Sequence, residues 1–190
     1  MGGGRQGLAR GYFLREAAAL QRANTGGARR LERIMFPGAG VVIVGTPWEE
    51  VRLDVSASRD ELFAALGGEA AGWAEPDRGV GPRLPVSAPA PPLAVYADLL
   101  DDLGDLVFTL TTYPADVGRP QAAARLDAVR LVGGVTAVVQ VCAPGGTHRI
   151  RIPLDSGVPL VALPLAIAEH LLAAGAGTDW DYPVEEERGE

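Results

Sequence analysis

The feature that most constrains this chain is a pattern that occurs twice: two short apolar strands joined by a turn, then a helix that ends at glycine. The first copy runs from Gly40 to Gly68 and the second from Val135 to Gly175. In the first, Gly40 to Val44 is an apolar run, Gly45-Thr46-Pro47-Trp48-Glu49 reads as a loop, and Val51, Leu53 and Val55 alternate with Arg52 and Asp54. A β-hairpin with one buried face is predicted. Ser58-Arg59-Asp60-Glu61 then has the spacing of a capping box, and Leu62, Phe63 and Leu66 lead to a stop at Gly67-Gly68.

In the second copy Val135 to Cys142 and Thr147 to Leu154 read as strands, after a further strand at Asp127 to Val132 and a Gly133-Gly134 turn. His148, Ile150 and Ile152 fall on one face, and Thr147, Arg149 and Arg151 on the other. Leu160 to Ala174 reads as an apolar helix ending at Gly175. Val42-Ile43-Val44 matches Val138-Val139-Gln140, and Val51-Arg52-Leu53 matches Arg149-Ile150-Arg151 or a neighbouring register. Two such units, neither able to bury much apolar area alone, associate about a pseudo-two-fold; coincidence is the alternative, because hairpin plus helix is common.

The expected fold class is therefore α+β, an antiparallel sheet meander with helices on one face. Residues 1–30 read as a flexible or helical N-terminal extension, with a short helix at Tyr12 to Ala23 that stops before Asn24-Thr25-Gly26-Gly27. Residues 31–177 read as the α+β domain, with units at 34–68 and 106–175. Between them lie a glycine- and proline-rich linker at 69–92 and an amphipathic helix at 93–104, whose Tyr96, Leu99, Leu100 and Leu103 share a face away from Asp98, Asp101, Asp102 and Asp105. Leu106 to Tyr113 is expected to be a strand, and residues 178–190 an acidic tail.

Charge and composition narrow the function. The chain has 190 residues, 47% of them hydrophobic, which suits a folded protein. All 17 basic residues are arginine, and the net charge is −7, a field that repels nucleic acid and anionic lipid. The longest apolar stretch, Val158 to Ala168, is too short to span a bilayer, and Met1 to Arg10 leads into no signal-peptide core, so a cytoplasmic location without membrane insertion is expected. Cys142 is the only cysteine, which fits a reducing compartment.

Catalytic and cofactor chemistry find little support. His148 and His170 have no second histidine or paired cysteine at metal-ligand spacing, so no metal site is expected. Gly38-Ala39-Gly40 precedes a strand instead of following one, the wrong order for a phosphate loop, so no nucleotide cofactor is expected. The aspartates at 98, 101, 102 and 105 read as a solvated helix face. A hydrolase using Cys142 and His148 is the one enzymatic alternative. The expectation is a non-catalytic protein-binding protein, with a homodimer possible. Trp48 at a loop tip has the character of an interface anchor, beside Glu49; Arg52, Arg149 and Arg151 offer charge on a sheet face; and Trp180 offers an aromatic in the tail.

The stretch Gly40 to Pro89 resembles the EspG-type secretion chaperones of actinobacterial type VII secretion systems. The resemblance is carried by an apolar strand, the strand Glu50-Val51-Arg52-Leu53, the helix end Leu62-Phe63-Ala64-Ala65-Leu66 and the segment Gly79-Val80-Gly81-Pro82-Arg83-Leu84-Pro85-Val86-Ser87-Ala88-Pro89, with the C-terminal meander and closing helix of the same kind. It implies a fold of two related halves and cytosolic binding to the helical tip of a PE–PPE-type export substrate. The alternative binding role is an immunity or regulatory protein that covers a basic toxin or enzyme.

Overall fold

The computed structural model describes residues 3–24, 29–75, 92–112, 125–143, 146–155 and 179–181. The elements in order are α1 (Gly3–Ala23), β1 (Arg33–Gly38), β2 (Val41–Gly45), β3 (Glu50–Asp54), α2 (Arg59–Ala65), a 3-10 turn (Gly68–Ala71), α3 (Pro92–Thr112), β4 (Arg125–Val132), β5 (Thr136–Ala143), β6 (Gly146–Pro153) and β7 (Asp179–Asp181). All seven strands form one sheet in the order β3-β2-β1-β4-β5-β6-β7. Neighbours from β3 to β6 pair antiparallel, and β7 lies parallel to β6. The protein is thus an α+β meander.

The sheet is palindromic about the β1–β4 pair. Ile34 stands opposite Val129, each also pairs outward with a valine, Val44 and Val139, and these in turn with Val51 and Ile150. One apolar row therefore crosses six strands. It superposes Val42-Ile43-Val44 on Ala137-Val138-Val139, and Val51-Arg52-Leu53 on Ile150-Arg151-Ile152. The match from sequence was one residue out on β5, and the neighbouring register is the one adopted on β6. Face parity is the reason, since a one-residue slip would carry the buried set to the other face. Each half is also larger than hairpin plus helix, because a helix and a first strand precede it: α1-β1-β2-β3 and α3-β4-β5-β6.

Helices cover one face only among the described residues. Phe13 of α1 meets Phe36 of β1 edge to face at 6.3 Å, and Arg10 sits 5.3 Å above the Phe36 ring while donating to the Leu126 carbonyl at 3.1 Å. The segment is helical and ends at Ala23, as one expected reading had it, but Phe13, Leu14, Ala17, Ala18 and Leu20 are buried, so α1 is a core element and does not lie outside the domain as an extension. Its alanine-, glycine- and arginine-rich sequence hides that role. Leu106 to Tyr113, expected as a strand, instead continues α3 to Thr112. The physical reason is that Leu106 and Val107 extend the buried stripe of Tyr96, Leu99, Leu100 and Leu103 at helical spacing, and tertiary packing overrides β propensity. The second unit accordingly does not begin with a strand at 106.

The capping box forms as expected: the Ser58 hydroxyl accepts from the Glu61 N–H, and the Glu61 carboxylate accepts from the Ser58 N–H at 2.7 Å. The Ser58 N–H, then its hydroxyl, hold the Glu61 carboxyl below its ordinary pKa, so this contribution is present at neutral pH and fades as pH falls through the lowered value. Gly67 takes the left-handed conformation at φ 85°. Residues 69–75 of the expected linker are structured and bury Trp73 completely, while 76–91 lie outside the described residues. The same holds for the helix expected at Leu160 to Ala174. In the expected tail, residues 179–181 join the sheet as β7.

The β1–β2 turn carries a local strain. Ala39, exposed between Gly38 and Gly40, has φ 53°, a conformation that costs a residue with a Cβ about 1–2 kcal/mol. Ala39→Gly is expected to raise unfolding free energy by about 0.5–1 kcal/mol, because relief of that strain exceeds the added chain entropy. A urea midpoint that does not rise, at unchanged slope, refutes this.

Candidate functional site

The β2–β3 connection is a tight turn held by one buried threonine. The Thr46 N–H donates to the Glu49 carbonyl at 2.8 Å, and the Thr46 hydroxyl accepts from the N–H groups of Trp48 and Glu49 at 3.4 and 3.2 Å. Pro47 at the second position suits such a turn. The result presents the Trp48 side chain to solvent, 63% exposed, with the Arg29 guanidinium 4.8 Å from its ring centroid. Arg29 also pairs with Glu49 at 3.1 Å, so the cation is held over the ring from both sides. A pre-ordered exposed indole is suited to anchoring a partner, because little freedom is left to lose on binding.

The sheet face away from the helices is the second surface. Alternation puts Met35, Val41, Ile43, Ala128, Val138, Gln140 and Cys142 on it, with Arg33, Arg52, Arg125, Arg130, Arg149 and Arg151. Arg33 and Arg130 stand opposite each other across the central pair. The Arg33 side chain lies across Gly45, where a Cβ would come within 2.8 Å of its Nε, and reaches Glu50 at 3.2 Å. Arg125 pairs with Asp127, the residue at the β4 register shift, at 2.9 Å. Arg52, Arg130 and Arg149 are exposed and form no ion pair among the described residues. A largely half-buried apolar row is thus flanked by arginines, with Glu50 and Asp54 beside Arg52 on β3, on a protein whose net charge is −7.

The residues singled out from sequence are therefore not one cluster. Arg52 lies on β3 and Arg149 and Arg151 on β6, five strand spacings or about 24 Å apart on the same face. Trp48 and Glu49 belong to the turn beside β3. Trp180 stands in register with Ile150 on β7, at the far edge. Arg33 and Arg130, which join these two ends into one face, were missed; only the palindromic alignment of the two halves brings them together.

Register also decides the cysteine–histidine pairing. Cys142 pairs with Thr147, and His148 with Val141, so the thiol and the imidazole project from opposite faces of the sheet. His148 is buried at 1% exposure among the core residues, so Cys142 and His148 do not form a nucleophile–base pair with each other. The α3 aspartates are engaged by α1: Arg22 bonds Asp98 at 2.9 Å and Asp101 at 3.2 Å, and Arg15 bonds Asp105. Among the described residues no group of three or more His, Cys, Asp or Glu is placed to hold a metal ion, and no helix is long and apolar enough to cross a membrane.

What the fold defines is a class, an α+β protein of two related helix-plus-meander halves sharing one sheet. No family model, curated protein or solved structure matches the chain.

Proposed function

We propose that this protein is a non-catalytic, cytosolic binding protein of the EspG-like chaperone kind, which receives a helical PE–PPE-type export substrate on the outer face of its sheet. The observation that carries the reading is that face: Ile43, Met35 and Ala128 lie in one register row that ends in Arg52 on one side and, beyond Gln140, in Arg149 on the other. Arg130 stands against Val138 in the next row, and helices pack only on the reverse side among the described residues. Two related halves about a central strand pair are also what the sequence resemblance implies. A secreted helical protein keeps an apolar tip out of water only while something covers it, and arginines around that contact select acidic flanks. The Trp48 turn adds an anchor at one end.

The immunity reading rests on net charge alone, and the arginines count against this face covering a basic enzyme. Co-expression with a PE–PPE-type pair tests the proposal. A near-stoichiometric complex is expected, and Arg130→Glu combined with Arg149→Glu is expected to weaken it by about tenfold or more without altering the circular dichroism of the free protein. Failure to form the complex, or a complex indifferent to both reversals, would sink the idea.

A further inference from the structure

The palindrome makes β3 the counterpart of β6, with Glu50, Val51 and Arg52 in the places of Arg149, Ile150 and Arg151. The outer edge at those β6 residues is covered, since Asp179, Trp180 and Asp181 pair with them one for one. Among the described residues nothing pairs with the outer edge of β3. The bonds from Thr46 N–H to the Glu49 carbonyl and from Val55 N–H to the Gly40 carbonyl fix the phase of the β2–β3 ladder. Residues 49, 51, 53 and 55 turn their backbone groups toward β2, so those of Glu50, Arg52 and Asp54 point away from the sheet. Such a row is a template for another strand.

We propose that this edge is a self-association surface, on which β3 of a second copy pairs antiparallel about a two-fold through Val51 and joins two sheets into one. Glu50-Val51-Arg52 is its own complement in that arrangement. Each Glu50 stands opposite the second copy's Arg52, in a pair whose outward backbone groups hydrogen-bond, and the two Val51 residues meet at the axis on the helix side. Half-buried Val51 and Leu53 lose their remaining contact with water. Glu50, already joined to Arg33 at 3.2 Å, then lies between two guanidiniums.

The neighbouring registers of the same phase are poorer. A two-fold through Arg52 sets that arginine against itself and Glu50 against Asp54. One through Leu53 depends on Asp54, whose carboxylate already accepts from the Ser56 hydroxyl and N–H. The pairing is independent of the outer-face reading, because an edge joint leaves that face open.

Sedimentation velocity of the full chain over a concentration series tests it. The wild type is expected to dimerise, and Arg52→Glu or Glu50→Arg alone is expected to raise the dissociation constant by about tenfold or more, since each places two like-charged pairs across the joint. The charge swap that combines both substitutions restores the dimer, and an equimolar mixture of the single variants forms a heterodimer. Circular dichroism of each variant checks that the fold persists. A wild type that stays monomeric up to about 0.1 mM, or a dimer that neither reversal weakens, overturns the proposal; the charges on β3 then serve to blunt a bare edge.

Discussion

Trp73→Ala is expected to lower the unfolding free energy by about 3–5 kcal/mol, the range for deleting a large buried aromatic and leaving a cavity. Trp73 is 1% exposed, although it follows a run of small residues and precedes a proline-rich stretch. Two features bring it inward. Gly72 turns the chain in the left-handed region at φ 83°, and Asn24 grips the next residue: its Oδ1 accepts from the Ala74 N–H at 2.8 Å while its Nδ2 donates to the Leu20 carbonyl at 2.8 Å. The asparagine that terminates α1 therefore also fastens the segment after α2. Trp73→Phe is expected to retain most of the stability, because the indole N–H makes no hydrogen bond among the described residues that the ring swap would remove. Urea unfolding of both variants is the measurement, and a loss of under about 1 kcal/mol for Trp73→Ala would mean that the side chain is not a core element.

Trp73 shows where sequence stops being legible. Periodicity reports a face only when several residues share it, and a single tryptophan among glycine, alanine and proline has none. The capping box at Ser58 and Glu61, the Gly133-Gly134 turn and the alternation of His148, Ile150 and Ile152 were readable because each is decided within a few residues. β1 was not, since Arg33 to Gly38 is short, holds Pro37 and slips register against β2 after Met35, and its second partner β4 lies about a hundred residues further on. The candidate face divides in the same way. Arg149 and Arg151 were assigned to one side of a strand by alternation, whereas the meeting of Arg33 with Arg130 depends on the join between halves. Arg52 and the β6 arginines were correctly placed on a sheet face, but their separation across it is a property of strand order, which no local pattern encodes.

Gly104→Val carries the other large expected effect, and it tests how the two halves are joined on the helix side. Read from sequence, Gly104 ends a helix; in the fold α3 runs through it to Thr112, and the glycine lies directly against α1. A Cβ there would lie 3.0 Å from the Gly11 carbonyl oxygen and 3.2 Å from Cγ of Arg15. The first of these is backbone, within a helix whose Phe13 and Leu14 are locked in the core, so it cannot swing aside. Gly104→Ala sets a helix-propensity gain of about 1 kcal/mol against overpacking of about 1–3 kcal/mol, for an expected net loss of about 1 kcal/mol. Valine adds two further methyl groups and a less favourable helix residue, so a loss of about 3 kcal/mol or more is expected, with the Arg15–Asp105 pair displaced as the helices part. Thermal and urea unfolding of both variants decide the matter: if Gly104→Ala is instead more stable than wild type by about 1 kcal/mol, helix propensity alone governs the position and the close crossing of α1 and α3 is wrong.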